Sequence, residues 1–130
     1  MDPQEFLKQL NEAQELVKQE NYKEALIITE KLREIEKNSN FNYNITHRLY
    51  QLDSNTHSLY NQQLILKIIK KLFKKRESIS FRELKRKIQE INKLELSIDI
   101  IRRELEILIL RNLLSCKIEG DKIVFYLITK

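Results

Sequence analysis

The sequence predicts a mainly α-helical protein that ends in a small β-hairpin, and three observations lead to this prediction. Gly and Pro each occur once in 130 residues, so tight turns must be few. Apolar residues recur at helical spacing along most of the chain. The single Gly stands in Gly120-Asp121, between two β-prone runs. This pair is a hairpin turn signal, because Gly adopts positive φ without a steric cost.

The first 38 residues predict two helices that fold back on each other. Asp2, Pro3 and Glu5 are typical of a helix start, with Asp2 as the cap and Pro3 at the first helical position. Apolar residues continue at helical spacing on both sides of the short break "QENY". Two helices joined by so short a link form an antiparallel hairpin. One hairpin cannot bury its own apolar face, so it must pack on something else.

Residues 39–55 predict a linker or a short helix, and residues 56–130 predict a second domain. The polar stretch "NSNFNYN" marks the boundary. We expect a short helix over roughly 45–52, and then a longer helix over about 56–76 that begins at caps in "DSNT".

Further cap signals divide the second domain. Ser80 and Glu83 form a capping box that predicts a second helix, and Ser97 predicts the start of a third helix that runs to about Leu114. The predicted order is helix, short strand, helix, helix, strand, turn and strand. This order is the winged-helix arrangement, in which the final hairpin is the wing.

The third helix of this domain carries two apolar stripes on a helical wheel. The stripe that we expect to face the core comprises Ile98, Ile101, Leu105, Leu108 and Ile109. The second stripe and the arginine beside it are the candidate partner-binding residues, Ile100, Ile107, Leu110, Leu114 and Arg103. A helix that reads the major groove of DNA would carry polar side chains on such a stripe. The stripe is therefore covered either by the rest of the chain or by another protein, since burial of each group stabilises by roughly 1.5–3 kcal/mol.

Basic charge is concentrated in the second part of the chain. Residues 1–40 hold 6 basic and 9 acidic side chains, whereas residues 41–130 hold 18 basic and 10 acidic ones. Residues 67–93 alone hold 11 Lys or Arg against 3 acidic residues. The predicted basic surface comprises Lys67, Lys70, Lys71, Lys74, Lys85, Arg86 and Lys87. Such a surface is either a solvated helix face or a contact for phosphate or acidic proteins.

No catalytic or metal-binding motif occurs in the sequence, so we expect neither an enzyme nor a cofactor, metal or small-molecule substrate. His47 and His57 lie ten residues apart without a Cys pair nearby. Cys116 has no adjacent His, and we expect it to be buried in a strand as a small apolar group. The apolar runs are far shorter than the roughly 20 residues of a membrane helix. A lone Cys fits a reducing compartment, so we expect a cytoplasmic protein.

Residues 78–125 resemble the winged-helix half of PCI domains, which are shared by the proteasome lid, the COP9 signalosome and translation initiation factor 3. The matching positions are Ile79-Ser80, Leu84, Leu105, Leu113-Leu114 and Lys117-Ile118-Glu119. The end, "IEGDKIVFYLIT", is also similar to the winged helix of the DDRGK-containing adaptor of ubiquitin-fold-modifier ligation. Upstream, "AQELVKQENYKEALIITEKL" resembles a tetratricopeptide-type hairpin, in which Ala13 and Ala25 permit close packing.

These resemblances imply a non-catalytic adaptor or scaffold subunit that assembles through its winged helix and its helical hairpin. Its partner would be another protein or a second copy of the chain. The resemblances link this function to PCI-type complexes or to ubiquitin-like modification. The alternative is a winged-helix regulator of transcription that binds DNA through the basic residues.

Overall fold

The computed structural model of the chain describes residues 1–91 and 96–128. These ranges contain five helices and three strands. The protein is mainly helical and has one small antiparallel sheet. It divides into two compact units, Met1–Tyr60 and Asn61–Lys130. The elements in chain order are α1 (Pro3–Lys18), α2 (Tyr22–Lys37), α3 (Tyr43–Leu72), β1 (Ile79–Ser80), α4 (Phe81–Ile91), α5 (Ile98–Leu110), β2 (Leu114–Glu119) and β3 (Lys122–Leu127).

The predicted pair of N-terminal helices is confirmed. Asp2 caps α1, because its Oδ1 accepts a hydrogen bond from the Glu5 backbone N–H at 2.8 Å, and Pro3 opens the helix. After α1, Glu20 adopts a φ of 62°, and the chain turns back into α2, which packs against α1. The buried side chains of the two helices include Phe6, Leu10, Ala13, Ala25 and Leu32.

The apolar face of this hairpin is covered by the first part of α3. Leu49 is fully buried in one cluster with Phe6, Leu10 and Leu32. Ile45 and Leu52 of α3 pack against the same cluster. The hairpin therefore finds the partner that it needs within the first 60 residues of the chain.

The prediction of a break at "DSNT" is wrong, since α3 runs without interruption from Tyr43 to Leu72. Two polar side chains of "DSNT" form hydrogen bonds from positions inside the helix. Asp53 Oδ1 accepts a hydrogen bond from Thr29 Oγ1 at 2.8 Å, and Thr56 Oγ1 donates to the Leu52 carbonyl at 2.6 Å. Residue 56, the predicted start of the second domain, thus lies inside a continuous helix.

The predicted order of elements after α3 is confirmed in the second unit. Ser80 Oγ accepts from the Glu83 backbone N–H at 3.2 Å at the start of α4, and Ser97 Oγ accepts from the Ile100 N–H at 3.3 Å at the start of α5. The core of this unit is formed by Ile65, Ile69, Ile79, Leu84, Ile88, Leu96, Ile101, Leu105, Leu108, Leu114 and Phe125.

The third helix ends earlier than predicted. It stops at Leu110 because Asn112 adopts a φ of 58°, and the Leu113 N–H donates to the Leu108 carbonyl at 3.0 Å. Leu114 then opens β2 instead of closing the helix.

The sheet has the order β1-β3-β2, and both pairings are antiparallel. Ile79 pairs with Phe125, and Ser80 pairs with Val124, so the last strand is the central one. Glu119 pairs with Lys122 across a two-residue loop of Gly120 and Asp121. Gly120 has a φ of 65°, which confirms the predicted turn and fits a II′ loop with glycine at its first position.

We expect Gly120→Ala to lower the free energy of unfolding by about 1–3 kcal/mol, the cost of holding a non-glycine residue in a sparsely populated positive-φ conformation. An added Cβ would meet nothing within 4 Å, so the whole effect comes from the backbone. Urea denaturation followed by circular dichroism measures the difference.

Asp121→Ala is the matched control, since Asp121 is exposed and its φ is not positive. It should change the free energy of unfolding by less than about 0.5 kcal/mol. A Gly120→Ala protein as stable as the parent chain would contradict the assigned turn.

Candidate protein-interaction surface on α5 and the C-terminal hairpin

Helix α5 has one face in the core and one face in solvent. Ile101, Leu105 and Leu108 are buried in the core cluster, as the sequence predicts. Ile109 of the predicted core stripe is half-buried and packs against this cluster, whereas Ile98 is 42% exposed. The inward face therefore lacks Ile98 and includes buried Glu104.

The predicted partner-binding stripe does not form one continuous surface. Leu114 is buried at the first position of β2, so the chain itself covers it. Ile100 is half-buried and packs against the core, and Ile107 is also half-buried. Leu110 alone projects fully, with 80% of its surface exposed.

The hairpin adds exposed apolar groups that the sequence analysis did not assign to a site. Ile118 and Ile123 are cross-strand partners and are 79% and 47% exposed. Side chains alternate between the two faces of a strand, so this pair lies on the same face as the Cys116–Phe125 pair. This face is buried at its base, where Phe125 joins the core, and exposed at its tip.

A groove of about 210 Å³ lies between α5 and this face of the hairpin. Its apolar lining is formed by Phe81, Leu105, Ile109, Ile123 and Phe125. Arg102 and Glu106 of α5 also line it, and the Arg102 guanidinium lies 5.5 Å from the centroid of the Phe81 ring. Cys116 lines the groove too and is exposed, so the prediction of a buried Cys116 is wrong. Cys116 pairs with the core residue Phe125 across the hairpin, but its own side chain lies in the open groove.

Arg103, a predicted partner contact, is engaged by its neighbour Glu104. The Glu104 carboxylate is fully buried, and its Oε1 accepts from Arg103 Nη2 at 3.2 Å and from Nε at 3.4 Å. Sequence analysis missed this burial. The sequence contains a signal for this burial, because Glu104 lies three residues after Ile101 and four residues before Leu108. This spacing places all three side chains on one helix face.

The predicted lysine stripe on the first helix of the second domain is exposed. Lys67, Lys70 and Lys71 lie on the side of α3 opposite to buried Ile65 and Ile69 and are exposed. Lys74 is also exposed, but it lies beyond the helix, which ends at Leu72 and not near residue 76 as predicted. This arrangement fits both readings of the stripe, a solvated face and a surface for an acidic partner.

The basic residues of α4 are less accessible as a group. Arg86 is exposed, whereas Lys85 and Lys87 are half-buried, and Lys87 Nζ lies 3.9 Å from Glu90 Oε2. Arg82, Lys85 and Arg86 border a shallow depression with Glu83, whose carboxylate pairs with Arg76. Lys93, counted in the basic segment, lies outside the described residues.

Charges on the other face of the hairpin are engaged with each other. The Tyr126 hydroxyl donates to Glu119 Oε1, and Lys117 Nζ lies 5.2 Å from the centroid of the Tyr126 ring. The hydrogen bond to Glu119, together with desolvation, raises the pKa of Tyr126 above its ordinary value. Lys117 is therefore held against an aromatic ring next to a carboxylate.

The two histidines lie in separate environments. His47 stacks on Tyr43 with ring centroids 5.7 Å apart, and His57 Nε2 lies 3.7 Å from Asp53 Oδ1. Across residues 1–91 and 96–128, no three His, Cys, Asp or Glu side chains converge in a way that could hold a metal ion. Within the same ranges, none of the helices combines the length and apolar character that crossing a bilayer requires.

Comparison with known proteins assigns no family to this chain. No family model matches it, and neither the curated proteins nor the solved structures yield a significant match. The resemblances to PCI domains and to the DDRGK-type adaptor therefore stay predictions.

We expect Glu119→Gln to lower the pKa of Tyr126 towards its ordinary value of about 10. A carboxylate that accepts from the phenol stabilises the protonated form, and an amide does so less. The raised pKa implies a contribution to stability that is present below the ordinary pKa of tyrosine and lost as pH rises through the raised one. Carbon-13 NMR titration of the tyrosine ring measures the pKa directly.

Asp121→Asn serves as the control, because it removes a nearby carboxylate in the loop and keeps the hydrogen bond from Tyr126 to Glu119. The pKa of Tyr126 should move much less in this variant. Equal shifts in the two variants would show that general charge, and not this hydrogen bond, sets the pKa.

Proposed function

We propose that the protein is a non-catalytic interaction adaptor or scaffold subunit, and that α5 and the β2–β3 hairpin form its docking surface. Residues 61–130 would be a winged helix, and the first unit would be built on a tetratricopeptide-like hairpin. A cytoplasmic location and a place in a PCI-type or ubiquitin-like assembly are parts of the same proposal.

The topology of the second unit supports the winged-helix assignment. A two-residue strand precedes α4, two helices follow it, and a hairpin returns to pair with that strand. In the first unit, the full burial of Ala13 and Ala25 supports the close helix pairing expected of a tetratricopeptide-type hairpin.

The observation that carries the proposed function is the exposure of three large apolar side chains on α5 and the hairpin, two of them paired across the strands. Leu110 on α5, and Ile118 and Ile123 on the hairpin, are 80%, 79% and 47% exposed. Ile123 also lines the groove beside α5. Exposed large apolar side chains beside an apolar groove that charged residues border are typical of surfaces that other proteins cover.

We expect Leu110→Glu to abolish the capture of a partner while the fold survives. Leu110 is largely solvated, so a charge there costs little in the free chain but would be buried unpaired in a complex. The measurement is a quantitative pull-down with the tagged full chain from an extract of the source cells.

Ile27→Glu is the matched control, because Ile27 of α2 is 63% exposed and lies in the other unit. We expect the parent chain and Ile27→Glu to capture the same proteins. A folded Leu110→Glu chain should lose them. An identical captured set for all three proteins would remove α5 as the docking surface.

A DNA-binding regulator is the second candidate, and the exposed basic side chains of α4 favour it. Arg82 and Arg86 border the depression on that helix and face solvent. Lysine and arginine contacts to phosphate would make binding steeply dependent on salt.

If this candidate is correct, duplex DNA should bind at low salt, and Lys85→Glu with Arg86→Glu should reduce the salt slope by about 2. Fluorescence anisotropy of labelled duplex measures both quantities. Lys23→Glu with Lys31→Glu changes the net charge equally on exposed positions of α2 and is the control. Absence of binding by the parent chain at low salt would exclude this function.

A further inference from the structure

The solvent face of α5 carries four side chains at a constant spacing of four residues. These side chains, which we call the α5 ridge, are Ile98, Arg102, Glu106 and Leu110. All four are exposed. The ridge begins and ends with an apolar group and has one positive and one negative charge between them.

We propose that the α5 ridge binds the same ridge of a second copy of this chain, antiparallel and related by a twofold axis level with Glu104. This inference rests on the proposed function, since it names a partner for the same helix. The observation behind it is that the ridge is complementary to its own reversal. When the order is reversed, Ile98 lies opposite Leu110, and Arg102 lies opposite Glu106.

A twofold axis makes each of these contacts occur twice, which is the property of an isologous interface. The two pairings share one midpoint, so a single axis satisfies both. Side chains four residues apart form the ridges used in the commonest class of helix–helix packing. Three such steps at about 1.5 Å per residue give a contact about 18 Å long.

The two charges are available for a partner. Among the described residues, neither Arg102 nor Glu106 forms an ion pair, although they lie one turn apart. Within a helix, a positive residue that lies four positions before a negative one forms a weaker ion pair than the reverse order does. Arg102 is also held in place, because its guanidinium lies over the Phe81 ring at 5.5 Å. An arginine that is ordered before binding loses less conformational entropy in the interface.

Apolar groups next to the ridge add area to the same contact. Arg102 and Glu106 form one side of the groove that also contains Ile109 and Ile123. Apolar burial would supply the affinity, while the Arg102–Glu106 pairs would fix the antiparallel register.

The experiment is a charge-swap series on the full chain, with mass measured by light scattering and dissociation constants by sedimentation equilibrium. The parent chain is expected to be dimeric at micromolar concentrations. Arg102→Glu or Glu106→Arg alone places like charges opposite each other and should weaken dimerisation by at least about tenfold. The double variant with both changes should recover the dimer. An equimolar mixture of the two single variants should form a heterodimer.

Lys23→Glu and Glu30→Arg are the controls, because they make the same charge changes at exposed positions of α2. Circular dichroism checks that every variant is folded. The proposal is overturned by a parent chain that stays monomeric at high-micromolar concentration. It is equally overturned by single reversals that have no effect, or by single variants whose loss is not recovered in the double variant.

The outcomes separate this inference from the proposed function. A monomeric parent chain that still captures another protein through Leu110 would overturn the dimer and leave the adaptor function standing. A swap-sensitive dimer without any Leu110-dependent captured protein would support the dimer and contradict the adaptor.

Discussion

The pairing of β1 with β3 is the contact on which the second unit depends. A hairpin of two strands is only marginally stable by itself, and a third strand with an apolar face is needed to hold it. The two-residue strand β1 supplies that third strand by pairing Ile79 with Phe125 and Ser80 with Val124. Ser80 also caps α4 by accepting from the Glu83 N–H. One short segment therefore fixes the hairpin and the start of a helix together.

The position of the hairpin then determines which apolar groups remain exposed. Phe125 reaches the core, and its ring centroid lies 6.1 Å from that of Phe81 at the start of α4. The part of β3 that precedes Phe125 extends from the core to the tip of the hairpin. Ile123 therefore lies partly beyond the core, and Ile118 lies opposite Ile123 on β2. The groove beside α5 results from this geometry. The tip of the hairpin carries exposed apolar side chains because the hairpin extends beyond the core that it packs on.

Local signals in the sequence predicted the elements, whereas contacts between distant residues decided the details that were missed. Caps at Asp2, Ser80 and Ser97 act within four residues, so pattern analysis finds them. Asp53 has the same chemistry, but Thr29, 24 residues away, donates to it and the helix continues. Likewise, Leu114 continues the helical pattern of the sequence, but Asn112, a residue type that often ends helices, adopts a φ of 58° and the helix stops before it. A residue type thus indicates what a side chain can do, and only the fold shows which partner it meets.

The distribution of charge bears on the choice between a protein partner and DNA. Arg103, which a DNA-reading helix would present, is hydrogen-bonded to buried Glu104, and Lys117 of the hairpin lies over Tyr126. These contacts use part of the charge and hydrogen-bonding capacity that each group would offer to a phosphate. Arg102 and Glu106 are exposed, unlike Glu104, and have opposite signs one turn apart, so they present no net field to a polyanion. A surface that is apolar at its ends and balanced in charge at its centre favours a protein as the partner of α5.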